Sequence, residues 1–451
     1  MLSQRLAQFV LNVSYEALPT EVIDKTKEAF MDWLGSAAAG AGREPAKIML
    51  EVVEELGGRP EATILATGDK TSSILAALAN GTASHIVELD DVHKASIIHA
   101  AAPIIPAALA AAEKVGAGGK SLLEGIVAGY EVAIRIGEAV TPSHYYYWHT
   151  TGTVGTFGAC AAAGKILGLT EGQLVDAFGS AGTQAAGLWE FLADGAMSKH
   201  LHPGKAALNG LLAALLAQKG FTGAKRILEG EKGFIKATSR EFNIDKITQG
   251  LGQNYKILEN SIKVHASCRH THHAIDVVLD LVKTNGLEPE MIDRIRVKTY
   301  PIAIDITGNF QPDSVYAGKF SLPFCVALAA KEKKAGLNAF SEKNLFDPVV
   351  RSLMARVELV EDMELSALYP EKWPAAVEIR DKQGCVYIGQ TLYPKGDPEN
   401  PVPIVELRDK FRELAGLHFT SESVEGFLEG IAKLEQSSSM AEFLAIGRLK
   451  E

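Results

Sequence analysis

The sequence predicts a mainly α protein, with a large, discontinuous all-helical domain and a smaller α+β domain. Three observations carry this. Alanine- and leucine-rich segments at helical spacing fill the chain to about residue 250, alternating apolar and polar residues take over after a His-rich segment near residue 265, and amphipathic helical spacing resumes beyond the prolines around residue 400. A length of 451 residues also exceeds what one hydrophobic core usually serves. The helical domain is accordingly expected at 1–262 and 400–451, and the α+β domain at 263–399.

In chain order, MLSQRLAQFVLNVSYEAL reads as an amphipathic helix and lacks the basic-then-apolar order of a signal peptide. Further helices are expected at Val22–Ala39, Ser72–Leu89, Ser121–Val140, Thr153–Leu167, Gln173–Ala186 and Lys205–Gln218, and their small residues on many faces imply close packing. The alanine-rich stretch 100–112 carries Pro103 and Pro106 and is too short to cross a bilayer. Strands follow at Arg294–Tyr300, Ala355–Leu359 and Ala375–Arg380, with a hairpin turn at Asp381–Gly384 leading into Cys385–Ile388. Pro394, Gly396, Pro398, Pro401 and Pro403 mark the end of that domain, and helices from Val405 to Leu449 return to the first.

Hydrophobic residues at 47% and charged residues at 22% are ordinary globular usage, so disorder does not dominate. A formal net charge of −10 argues against a nonspecific nucleic-acid surface. Cys160, Cys268, Cys325 and Cys385 are far apart and form no CxxC pair, which points to neither a zinc ribbon nor a disulfide scaffold and fits a reducing cytoplasm. Neither GxxxxGK[ST], nor GxGxxG after a strand, nor GxSxG occurs.

Four clusters carry chemistry. ELDDVHKASIIH, from Glu88 to His99, follows a helical segment, so its carboxylates oppose the macrodipole at that helix's C-terminus. It reads as a solvated acidic turn capped by His93 and Lys94, or as a metal site drawn from Glu88, Asp90, Asp91, His93 and His99, although no known ligand spacing is matched. His149 stands just before the helix opened by TTGTVG, where free N–H groups favour an anion, or where it simply caps that helix. MSKHLHPGK places Lys199, His200, His202 and Lys205 at a helix start, against the dipole preference; an anionic partner or an exposed basic turn would account for them. SIKVHASCRHTHH gathers Lys263, His265, Arg269, His270, His272 and His273. Taken together, the clusters suit proton transfer on a small polyanion: lysine and arginine hold carboxylates, while histidine, lysine or a carboxylate moves a proton from the adjacent carbon.

The stretches ALANGTASHIVELDDVH, HTTGTVGTFGACAAAGKILGL, GAMSKHLHPGKAALNG, KVHASCRHTHHAID and KFSLPFCVALA occur in the order expected of the MmgE/PrpD family, and the resemblance spans nearly the whole chain. That family includes 2-methylcitrate dehydratase, cis-aconitate decarboxylase and iminodisuccinate epimerase. The resemblance implies a large helical domain, a smaller α+β lid domain, a homodimer and a cofactor-independent site between the domains, with no metal. Carried over by motif, it implies catalytic roles for His99, His149, Lys199, Lys263, Glu88 and Asp91, and substrate contacts from Thr150, His202, Arg269 and His270. The sequence departs from the family pattern at Glu88, commonly aspartate, at Ala100 after His99, commonly proline, and at Phe324, commonly tyrosine. The implied activity is a lyase acting on a small hydroxylated di- or tricarboxylate, foremost a dehydratase of the 2-methylcitrate type. A cis-aconitate-type decarboxylase and an iminodisuccinate-type epimerase are the alternatives within the family. A metal-dependent hydrolase using Asp90, Asp91, His93 and His99 is the alternative outside it.

Overall fold

The computed structural model describes residues 1–450. Its contacts divide the chain into two units: one is Met1–Asn260 together with the residues from Pro403 onward, and the other is Ser261–Val402.

The first unit is built around helices that are apolar on nearly every face and therefore lie inside the bundle. Ala101–Val115, Gly119–Val140 and Thr150–Ile166 are of this kind, with every residue from Thr150 to Gly164 buried. Small residues let these helices touch backbone to backbone. Where Ser73–Ser84 crosses Ser198–Gln218, a Cβ on Gly204 would lie 2.2 Å from Thr82 Oγ1 and 2.5 Å from the Leu78 carbonyl, so only glycine permits the approach. The helix Ile404–Ala415 returns to this unit and packs on Thr20–Ala41, where Lys410 Nζ reaches Asp32 Oδ1 at 2.5 Å.

Two expected helix ends are corrected. The spacing predicts a helix over Ser72–Leu89, but the chain leaves it at Ser84; the His85 ring turns back to Asp90, and Glu88 adopts a left-handed φ of 60° that no helix accommodates. The acidic run is thus a separate turn and not the last turn of a helix. The segment expected over Gln173–Ala186 spans Glu171–Gly182 and begins one turn after Leu167 with a capping box in which Thr170 and Gln173 bond reciprocally. Two helices start earlier than expected, at Thr150 and at Ser198; in the second, Pro203 falls in the second turn and masks the true start.

The second unit carries a four-stranded mixed sheet in the order Val357–Glu361, Ile292–Thr299, Ala375–Asp381, Val386–Thr391. The first pair is parallel and the others antiparallel, with Ile295 opposite Ile379 and Val297 opposite Val377 on the buried face. In the hairpin turn, Asp381 Oδ1 accepts the N–H groups of Gln383 at 2.9 Å and Cys385 at 2.8 Å, and Gly384 supplies a φ of 88°. Helix Arg269–Thr284 packs against the sheet and against Leu322–Glu332. Among the described residues, no helix is long and apolar enough to cross a membrane.

Candidate active site

The turn after Ser84 is buried. Glu88, Asp90, Asp91 and His93 are at most 2% exposed, which overturns the solvated-turn reading of ELDDVHKASIIH. Buried carboxylates need partners, and each finds a different one. Asp90 Oδ2 lies 2.6 Å from His85 Nδ1 and 3.3 Å from His99 Nδ1. Burial pushes the Asp90 carboxyl up, but the charges and hydrogen bonds of His85 and His99 outweigh it and hold the group well below the usual carboxylate range. Glu88 forms an ion pair with Lys199, reached because the Gly204 crossing brings the start of Ser198–Gln218 against this turn. Lys199 is 3% exposed, so its segment is not an exposed basic turn. The pair also answers the helix dipole, which by itself disfavours an ammonium at a helix start.

Asp91 is seated differently. It accepts the Tyr130 hydroxyl and Asn260 Nδ2, both at 2.6 Å, and the N–H of Ala101 at 3.0 Å, so it caps the helix Ala101–Val115. Burial, helped by the charges of Asp90 and Asp32 and opposed by the Tyr130 bond, raises its pKa to about 6. His93 faces yet another way, with Nδ1 2.9 Å from Ser96 Oγ and Nε2 3.5 Å from Glu259 and 3.8 Å from Glu138. The four residues of the hydrolase alternative therefore do not share one ligand point among the described residues. Two other groups, His85 with Asp90 and His99, and His93 with Glu138 and Glu259, do bring three metal-capable atoms within 4.8 Å of one another. In the first the spacings are those of hydrogen bonds, and in the second Lys256 Nζ bridges Glu138 and Glu259 at 2.9 Å.

His149 caps Thr150–Ile166, as expected, and its ring is enclosed by aromatic neighbours: Trp189 edge-on at 4.9 Å, His85 stacked at 5.7 Å and Phe191 at 6.2 Å. Its Nδ1 lies 3.0 Å from His202 Nδ1. Burial, reinforced by the nearby charges of His85, His202 and Lys199, lowers the His149 pKa well below the ordinary value. His202 falls to about 4 by burial and by the charges of His85, Lys205 and Lys199. Thr150 donates its hydroxyl to the Ile97 carbonyl, and Thr151 Oγ1 accepts the His99 N–H at 3.1 Å, so the two threonines tie the strained Ile97 turn (φ 50°) and His99 to the helix start. His99 Nδ1 also lies 2.6 Å from the Asp91 carbonyl.

The histidine-rich segment lies in the second unit, where the rings have internal partners. Arg269 pairs with Asp397, His270 Nδ1 meets the Tyr300 hydroxyl at 2.8 Å and stacks on Trp373 at 4.3 Å, and His273 Nε2 meets Thr299 Oγ1 at 2.9 Å. His265 Nε2 lies 2.8 Å from Asp276, and Lys263 is 1% exposed. Burial lowers His270 and His273 to about 3. Of the expected site residues, the first unit thus gathers Glu88, His99, His149, Thr150, Lys199 and His202 around one centre and turns Asp91 toward Tyr130, while Lys263, Arg269 and His270 belong to the second unit.

Three neighbours escaped the sequence analysis. His85 was hidden inside the over-long helix, although its place five residues before Asp90 was a usable signal. Trp189 and Tyr130 carry no local signal, since only the fold brings them to His149 and Asp91.

A mainly α unit that buries neutral imidazoles beside a lysine–glutamate pair has the means to bind a small anion and move its protons. A family model of the MmgE/PrpD N-terminal domain matches residues 4–246 and one of the MmgE/PrpD C-terminal domain matches residues 265–436; the chain belongs to the MmgE/PrpD family and is a lyase. It is 27% identical to a cis-aconitate decarboxylase of Aspergillus terreus over 98% of this chain and 95% of the relative. Human cis-aconitate decarboxylase is 24% identical over 93% and 88%, and the mouse enzyme 25% over 96% and 90%.

Proposed function

We propose that this lyase acts on a small tricarboxylate and releases CO2 from a substrate of the cis-aconitate type. The observation that carries the reading is the buried Lys199–Glu88 pair set beside His149, His99 and His85, because it offers one ammonium to a carboxylate and several imidazoles to a reacting carbon. Whole-length similarity to three cis-aconitate decarboxylases supports decarboxylation, which fits the family as well as the dehydration expected foremost from the sequence. In the proposed step, the bond between the allylic carbon and its carboxylate breaks, CO2 leaves, that electron pair forms a new double bond to the neighbouring carbon, and the π pair of the original double bond shifts to its far carbon. The far carbon then takes a proton from His149, and Lys199 holds the developing negative charge. His99, oriented by Asp90 and the Asp91 carbonyl, is the second proton carrier.

The test is proton NMR in D2O of chelator-treated enzyme with cis-aconitate, citrate, 2-methylcitrate and iminodisuccinate. Loss of CO2 with one deuteron incorporated is expected. Alkene formation from a hydroxy acid would establish the dehydratase, deuterium exchange without net change the epimerase, and turnover only after adding a divalent metal would refute the cofactor-independent reading.

We propose also that two copies associate. Support comes from an apolar face on the first unit, where Ile48, Val52 and Leu56 recur along Glu44–Leu56 and are 45–65% exposed, flanked by exposed Met197 and Leu201. A monomer mass in sedimentation equilibrium would refute it.

A further inference from the structure

We propose that His202 is a positioning residue whose Nδ1 accepts a hydrogen bond from His149 Nδ1–H, fixing His149 in one tautomer and leaving its Nε2 as the atom that exchanges a proton with substrate. The inference rests on the proton-transfer role proposed for His149.

The two Nδ1 atoms are 3.0 Å apart in a buried setting, and only one hydrogen fits between them. The rings therefore take opposite tautomers. The direction follows from what His149 must do. As a neutral base it needs a lone pair on Nε2, and as an acid it is an imidazolium with both nitrogens protonated. In both states its Nδ1 carries hydrogen, so an accepting His202 keeps the same bond through a full proton cycle without a ring flip. A donating His202 would lose the bond at each protonation.

The surroundings hold this arrangement. The His149 N–H donates to the Gly187 carbonyl at 2.9 Å, and the Trp189 edge limits rotation of the His149 ring. The His202 ring lies directly on Gly187, where a Cβ would stand 3.2 Å from Nδ1 and where φ is 152°, and against Gly152, where a Cβ would stand 3.1 Å from the His202 Cβ. The charges facing the pair are those of His85 and His99 from the acidic turn and of Lys199 and Lys205 from the Ser198–Gln218 helix. All are cationic when charged, which agrees with both rings staying neutral at rest. A ring with its Nδ1 engaged in this way orients His149 and does not bind substrate through that atom.

The experiment is long-range 1H–15N correlation of the full chain labelled with 15N-histidine, at neutral pH without substrate, alongside kinetics of His202→Leu and His202→Asn. The expected spectrum shows His149 as the Nδ1–H tautomer and His202 as the Nε2–H tautomer. His202→Leu should leave His149 in mixed tautomers and lower kcat by about 100-fold with KM within about twofold. His202→Asn, whose side-chain oxygen reaches the Nδ1 position, should restore both. The reverse tautomers in the wild type, or a raised KM with kcat unchanged in His202→Leu, would overturn the proposal. The spectrum reads the tautomer whether or not any polycarboxylate is turned over, so it decides the proposal even where the functional reading fails or a variant does not fold.

Discussion

Replacing Lys199 with methionine keeps the volume and removes the ammonium. Glu88 would then be a carboxylate at 2% exposure without the Lys199 ammonium. Breaking a buried pair from one side costs about 3–5 kcal/mol, whereas removing both charges with similar shapes costs little. Lys199→Met should therefore lose about 3–5 kcal/mol of unfolding free energy, and Lys199→Met with Glu88→Gln should recover to within about 1 kcal/mol of the wild type. Urea denaturation followed by circular dichroism measures stability, and turnover is measured on the same preparations. Activity should stay lost in the double variant, because stability needs the charges matched but chemistry needs the ammonium. A single variant as stable as wild type would refute the buried pair, and an active double variant would remove Lys199 from the reaction.

Two further outcomes follow from the same geometry. The Asp91 carboxyl titrates near 6 in the fold against an ordinary 3.8, so its contribution to stability is fully present below about pH 4 and is lost as pH rises through 6, a change of about 3 kcal/mol. The stability difference between wild type and Asp91→Asn should shrink accordingly between pH 4 and 7, and a constant difference would show the carboxyl to be unperturbed. Gly204→Ala should cost about 1–3 kcal/mol and most of the turnover, since its methyl would collide with Thr82 and the Leu78 carbonyl and part Lys199 from Glu88; a variant crystallising with an unchanged helix crossing would contradict this.

The mainly α class and the change from helical to alternating spacing after residue 265 were legible because they rest on periodicity, a local signal, whereas the helices Glu44–Leu56 and Ala101–Val115 were not read. The start at Thr150 was missed by one turn and that at Ser198 by two, since TTG and SKHLHP look unhelical until His149 and Met197 are seen to cap them. The site was legible as residue types but not as pairs. Lys199 invited an anionic partner, yet Glu88 lies 111 residues away and joins it only through a helix crossing that Gly204 and Gly81 allow. The acidic turn looked solvated because charge suggests exposure, and its burial depends on Tyr130, Asn260 and His85, which come from three elements.

Buried imidazoles beside a lysine raise a difficulty: at rest His149 is held neutral by burial and by its cationic neighbours, but an acid must be protonated. The substrate resolves it. The tricarboxylate proposed above would bring several negative charges into the place where His85, His149, His202 and Lys199 oppose one another, so its binding would raise the imidazole pKa values toward neutrality and the complex would take up a proton from solution. Titration calorimetry of an unreactive tricarboxylate, propane-1,2,3-tricarboxylate, should accordingly show a binding enthalpy that depends on the ionisation enthalpy of the buffer, with a sign that reports proton uptake near pH 7. In His149→Gln the buffer dependence should fall while binding persists. Buffer-independent binding to the wild type would mean that His149 enters the reaction neutral, with its Nε2 unprotonated, and proton delivery would then have to come from His99.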